Sequence, residues 1–193
     1  MIITTPLDLP RVKPNDWTAW WEIWRANNAV MEKVKKNHNA TQSKWLGLDL
    51  YKKPNMITNY GAPMAPDEPV IKDMVEQVMS WDMDIDCIRV IENLEYIRLH
   101  SDHSFHYHSV RSLLWSDYSR HPWYLEYNQE KRNIKMPRET NTFYYLDGPV
   151  KHASRYEEGR TKGLLVVFGK FRKGMEQLIE TSAEKYKDYA WIA

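Results

Sequence analysis

From Ile85 to Phe171 the chain falls into short segments rich in β-branched and aromatic residues: CIRVIEN, EYIRLH, SVRSLLW, WYLEYN, NTFYYLD and GLLVVFGKF. Turn-forming residues separate each from the next. Branched and aromatic side chains pack well on a pleated surface, so segments of this kind read as strands. Several short strands in succession predict an antiparallel double-sheet jelly roll or barrel.

The flanking sequence has a different texture. Residues up to Pro14 read as an extended lead-in carrying three prolines, after which Asn15 or Asp16 can cap a helix. Trp17, Trp20, Trp21, Trp24, Asn28 and Met31 recur at helical spacing and predict an aromatic face packed on a sheet. The cations of EKVKKNHN suit the negative pole at that helix's end. From Ala40 to Pro69 the chain is punctuated by Gly47, Pro54, Gly61, Pro63 and Pro66 and reads as loop. A second helix is expected near Pro69, with Val70, Ile71, Met74, Val75 and Val78 in phase, and a last one from Gly174, with Met175, Leu178, Ile179, Ser182 and Tyr186 in phase. The expected fold class is therefore α+β with a mainly β core: a double-stranded β-helix (jelly roll) flanked by N-terminal helices and a C-terminal helix. The whole chain, 1–193, is expected to be one domain. Residues 1–84 would form a helical, loop-rich support, 85–171 the jelly-roll core and 172–193 the C-terminal helix.

Composition removes several classes of function. The formal net charge is +1, from 27 basic and 26 acidic side chains, which argues against a nucleic-acid or membrane-surface field. No apolar run approaches the ~20 residues that cross a bilayer, and the start, MIITTPLDLPRVKP, lacks a signal-peptide layout. Cys87 is the only cysteine, so no internal disulfide forms and a reducing, cytoplasmic location is expected. The 9 tryptophans and 12 tyrosines serve a core or a substrate groove equally well.

The chemistry-bearing residues are His100 and Asp102 in IRLHSDHS, and His152 in YYLDGPVKHAS. Residues i and i+2 of a strand project to one side, so His100 and Asp102 can aim at one point. The turn Asp147-Gly148-Pro149 delivers His152 at the start of a following strand. Two imidazoles and a carboxylate suit a divalent first-row metal, and as a facial set they leave positions open, as in mononuclear non-haem Fe(II) oxygenases. No thiolate is included, which argues against a structural zinc site. One difficulty stands: strict alternation puts Arg98 on the face of His100, and a bulge near Leu99 would remove the conflict. His103, His106 and His108 also lie in this run, and such clusters bind metals adventitiously.

The stretch IRVIENLEYIRLHSDHS resembles the strand–turn–strand approach to the iron site of 2-oxoglutarate-dependent Fe(II) oxygenases. NTFYYLDGPVKHASRYEEGRTKGLLVVFGKF resembles the second half of the same site. The branch most similar is that of the aspartyl/asparaginyl β-hydroxylases and prolyl hydroxylases, and the resemblance covers 88–171, under half the chain. It implies Fe(II) held by His100, Asp102 and His152, with O₂ and 2-oxoglutarate as cosubstrates. It also implies a basic side chain on the strand after the distal histidine for the far carboxylate of 2-oxoglutarate. Arg160 is the better chemical fit, as a fork that is always charged, and Lys162 lies nearer the family's usual offset. Either would otherwise be a loop cation paired with Glu157 or Glu158. Arg111, with Ser109 on its side of the strand, would make a second contact, because a buried arginine on an apolar strand needs an anion. The implied activity is hydroxylation of an unactivated C–H bond in a peptide, amino acid or metabolite, coupled to decarboxylation of 2-oxoglutarate to succinate.

Two other readings remain. One is a cupin-type metal enzyme that uses no 2-oxoglutarate and recruits His106 or His108. The other is a non-catalytic jelly-roll binding domain whose aromatic surface does the work.

Overall fold

The structure is a computed structural model that describes residues 1–10, 45–54, 67–93, 97–101, 108–116, 124–134, 143–147, 149–154 and 162–193. Eleven strands and two helices occupy them. The strands are β1 (Ile2–Pro6), β2 (Trp45–Lys52), β3 (Met83–Asn93), β4 (Ile97–His100), β5 (His108–Ser116), β6 (Tyr124–Tyr127), β7 (Glu130–Asn133), β8 (Phe143–Leu146), β9 (Lys151–Ser154), β10 (Lys162–Phe171) and β11 (Trp191–Ile192). The helices are α1 (Pro69–Met79) and α2 (Lys173–Lys185). The Trp17–Met31 helix falls outside the described residues.

Two antiparallel sheets form. The larger has the order β11-β1-β8-β5-β10-β3-β2 and the smaller β4-β9-β6-β7. From β3 onward the chain passes repeatedly between them: β3, β5, β8 and β10 lie in the large sheet, and β4, β6, β7 and β9 in the small one. Alternation sorts the side chains of the large sheet. Ile88, Val90, Val110, Leu165 and Val167 face out and are buried beneath Ile71, Met74 and Val78 of α1 and Met175 and Ile179 of α2. Leu164, Val166, Tyr144 and Leu146 face in, where they form a second core with Leu125 of the small sheet and Trp191. At ~25 cal/mol per Å² of apolar surface, each fully buried branched side chain contributes ~1.5–3 kcal/mol, so both faces of this sheet stabilise the fold.

Both expected helices form close to their predicted starts. Pro69 opens α1, where its missing N–H removes no hydrogen bond. α2 ends at Lys185, so Tyr186 caps the helix and Ala183 joins the buried side instead. Four strands depart from the sequence reading. β1 lies in the extended lead-in and β2 in the stretch read as loop, and both join the large sheet, so residues 1–84 contribute strands to the core sheet. β7, EKRN, is charged and exposed throughout, and it forms because Asn128 and Gln129 take positive φ (48° and 68°) and fold the chain back on β6. β11 is two residues long, too short to carry a periodic signal.

Candidate metal and anion site between the sheets

Asp147 begins the turn that feeds β9. Its N–H donates to the Ile3 carbonyl (3.0 Å), its carboxylate accepts from Tyr145 Oη (2.8 Å), and the Val150 N–H donates back to the Asp147 carbonyl (3.2 Å). The turn is thus tied to β1 and β8, and β9 leaves it in a fixed direction. Along β9, Lys151 is exposed and pairs with Glu126 (3.0 Å), whereas His152 is 3% exposed. His152 stands opposite Leu125 of β6 and His100 of β4. Leu125 is wholly buried in the core between the sheets, so this cross-strand row lies on the inner face of the small sheet.

The two histidines meet. His100 and His152 are direct cross-strand partners with ring centroids 4.3 Å apart and planes tilted by 54°. The register shows why. Ile97 pairs with Ser154 and His100 with His152, so three steps along β4 match two along β9. One extra residue is accommodated between them, a bulge of the kind expected near Leu99. His152 Nδ1 lies 3.2 Å from the Val150 carbonyl oxygen. A carbonyl only accepts, so Nδ1 carries the proton and Nε2 is left with the lone pair, the arrangement that metal-binding histidines use.

Arg111 is 5% exposed and faces inward: it pairs with Val166 of β10 and Tyr144 of β8, both in the core between the sheets. Its Nε donates to Ser109 Oγ at 3.4 Å. Burial pushes the Tyr144 hydroxyl above the ordinary phenol range, against a smaller opposing pull from Arg111, so it is a neutral donor or acceptor at all physiological pH. The relative placement of the sheets follows from Trp191: Arg132 of β7 lies over its ring (4.8 Å), and Tyr127 at the end of β6 meets it edge-on (6.4 Å). The β7 side of the small sheet therefore lies toward the β11 edge of the large one. The histidine strands, two and three strands away and up to ~14 Å, lie toward β8 and β5.

Asp102 and Arg160 lie outside the described residues, as does His106; Lys162 opens β10 opposite Asn93 and Ser116, and only its backbone is described. Among the described residues, no three His, Cys, Asp or Glu side chains gather in a group that could hold a metal, and His100 and His152 are the two of the expected three that come together. One inner-face cluster escaped the sequence reading. Asp49 of β2 accepts from Arg89 Nε (2.5 Å) and from the Cys87 thiol (3.6 Å), and all three are buried. Its signal was a charge at the centre of each of two apolar strands, LGLDLYK and CIRVIEN, and their meeting required knowing that β2 pairs with β3.

Among the described residues no helix is long and apolar enough to cross a membrane. No protein-family model and no curated protein matches the chain. Two solved structures are similar in outline. A 2OG-Fe(II) oxygenase family oxidoreductase from Burkholderia pseudomallei aligns with a TM-score of 0.43 at 12% identity, over 78% of this chain and 78% of that one. A Pseudomonas putida prolyl-4-hydroxylase aligns with a TM-score of 0.48 at 11% identity, over 89% of this chain and 94% of that one. Likeness of this degree decides neither fold nor chemistry, and the case for function rests on the side chains between the sheets.

Proposed function

We propose that the chain is a single-domain jelly-roll oxygenase of the 2-oxoglutarate/Fe(II)-dependent superfamily, with its site between the two sheets. The observation that carries this reading is the His100–His152 pair, distant in sequence, matched in register across β4 and β9 with ring centroids 4.3 Å apart, the His152 ring being buried. The donor chemistry suits Fe(II): His100 and His152 would supply two imidazoles, and Asp102, two residues beyond His100, the carboxylate. When bound, the iron supplies the redox chemistry by which O₂ and 2-oxoglutarate yield succinate, CO₂ and a hydroxylated product.

The chain's own part is positioning and exclusion of water. The Val150 carbonyl fixes the His152 ring and its tautomer. Arg111, beside Ser109 and Tyr144, offers a buried cation to a carboxylate of 2-oxoglutarate. Arg160, or Lys162 at the start of β10, holds the far carboxylate, with Arg160 favoured for its bidentate fork. Leu125, Leu164 and Val166 are at most 2% exposed and keep the space dry. The hydroxylated group belongs to a peptide, a free amino acid or a small metabolite.

The test is succinate release from 2-oxoglutarate by the iron-loaded protein, with and without candidate substrates. Release that depends on Fe(II) and is abolished in His152→Ala supports the reading. Metal retention without any succinate would point instead to an enzyme that does not use 2-oxoglutarate.

A further inference from the structure

Arg132 and Asp188 line one cavity and form no ion pair with each other. The cavity has a volume of about 200 Å³ and lies at the seam where β7 meets β11, with Thr4 of β1, Ile134 just past β7 and Trp191 of β11 in its walls. Asp188 comes from the turn between α2 and β11. β6, with its fully buried Leu125, stands between β7 and the histidine strand β9, so this cavity is separate from the candidate metal site. The Arg132 guanidinium is held in two ways. It lies over the Trp191 ring, 4.8 Å from the centroid, a favourable place for a cation. Its Nε (2.7 Å) and Nη2 (2.6 Å) both donate to a single Glu130 oxygen, Oε1. Nη1, the other terminal nitrogen, has no partner among the described residues, and neither has the Asp188 carboxylate. The indole N–H of Trp191 is buried without an acceptor, so the walls hold donors that nothing uses. A lone cation would accept any small anion. A free carboxylate in the same cavity disfavours a second negative charge and favours a ligand that brings its own cation. The volume is below the ~300–1,000 Å³ that hold drug-sized molecules, so the ligand is small.

We propose that this cavity is a second binding site, for a small zwitterion of the free amino-acid class, whose carboxylate accepts from Arg132 Nη1 and whose ammonium donates to Asp188. Glu130 and the Trp191 ring hold the arginine in place before the ligand arrives, which lowers the cost of ordering it on binding. The site stands whether or not the histidine pair belongs to an oxygenase, because neither Arg132 nor Asp188 takes part in it. The plain alternative is a solvated notch in which Arg132 only covers Trp191, and such a notch would not discriminate among small ions.

Isothermal titration of the full chain with glycine, β-alanine, γ-aminobutyrate and leucine is set against propionate and propylamine, which carry a single charge. At least one zwitterion is expected to bind with a Kd of ~1 mM or tighter, and both singly charged compounds at least ~10-fold more weakly. Arg132→Gln and Asp188→Asn are each expected to weaken that zwitterion ~10-fold or more, the loss of one charge-assisted contact. His152→Ala is expected to leave it unchanged. Both altered side chains are exposed, so both variants are expected to fold, which circular dichroism checks; if one does not, the other carries the comparison. The indole cross-peak of Trp191, assigned by its loss in Trp191→Phe, is expected to shift as the zwitterion is added. Failure of all four zwitterions to bind overturns the proposal, as does propionate binding as tightly as the best of them. Binding that survives either charge-removing variant, or that is lost in His152→Ala, places the ligand elsewhere and overturns it as well.

Discussion

His152 shows how a single hydrogen bond selects the nitrogen that a metal can use. With Nδ1 donating to the Val150 carbonyl, the lone pair is on Nε2, and burial at 3% exposure leaves the ring little freedom to rotate. His152→Ala is expected to abolish Fe(II) retention and succinate formation while leaving the far-ultraviolet circular dichroism unchanged, because the small sheet keeps its backbone pairing. A variant that still retains iron at the unaltered affinity would remove His152 from the site. Cys87 gives a prediction of the opposite kind, a group held inert. Burial pushes its thiol up to about 12, from an ordinary 9.0, with the charge of Asp49 adding to the rise and Arg89 opposing it. The folded value is raised, so the folded protein keeps this proton when the unfolded chain has lost it. The associated stability is fully present below pH ~9 and falls as pH rises from there toward about 12. Iodoacetamide labelling at pH 8 should be slow in the native protein and fast in denaturant; rapid native labelling would contradict the burial of Cys87.

Individual elements owe their form to a few exceptional positions. Gly169 in β10 lies where the pairing with β3 slips by one residue, and a Cβ there would stand 2.3 Å from the Asp84 carbonyl oxygen and 2.9 Å from Ile85 Cα. Backbone cannot give way as a side chain can, so Gly169→Ala is expected to destabilise the protein by ~1–3 kcal/mol, read as a lower denaturant midpoint with unchanged m-value. No change would mean that β3 and β10 do not approach as described. Legibility in the sequence followed element type. CIRVIEN, SVRSLLW, NTFYYLD and GLLVVFGKF each supply a strand of the large sheet, where Ile88, Val90, Val110, Phe143, Tyr145, Leu165 and Val167 are buried. EKRN carries no such signal, since its four side chains are exposed and only the turn at Asn128-Gln129 makes it a strand. Trp45–Lys52 was masked by the glycine and prolines around it, although Leu46, Leu48 and Leu50 alternate as a strand requires.

At the scale of the molecule, two sheets enclose one interior, and the candidate site is the polar part of it. The core holds Leu125 against Tyr144, Leu164, Val166 and Trp191, and Leu125→Ala is expected to lower stability by ~2–5 kcal/mol through the cavity it opens, checked by urea unfolding. A loss below ~1 kcal/mol would mean the sheets do not press on this residue. The site itself was partly legible. The pair His100 and His152 was readable from spacing and turn placement, and the inward burial of Arg111 from a lone charge on an apolar strand. The Asp49–Arg89 contact was not, because it joins residues forty positions apart through a strand pairing that local periodicity does not encode. Anaerobic addition of 2-oxoglutarate to the Fe(II)-loaded protein tests the central claim most directly. A metal-to-ligand charge-transfer band in the unaltered protein, absent in His152→Ala, is the predicted result; no band in the unaltered protein, or the same band in both, would contradict it.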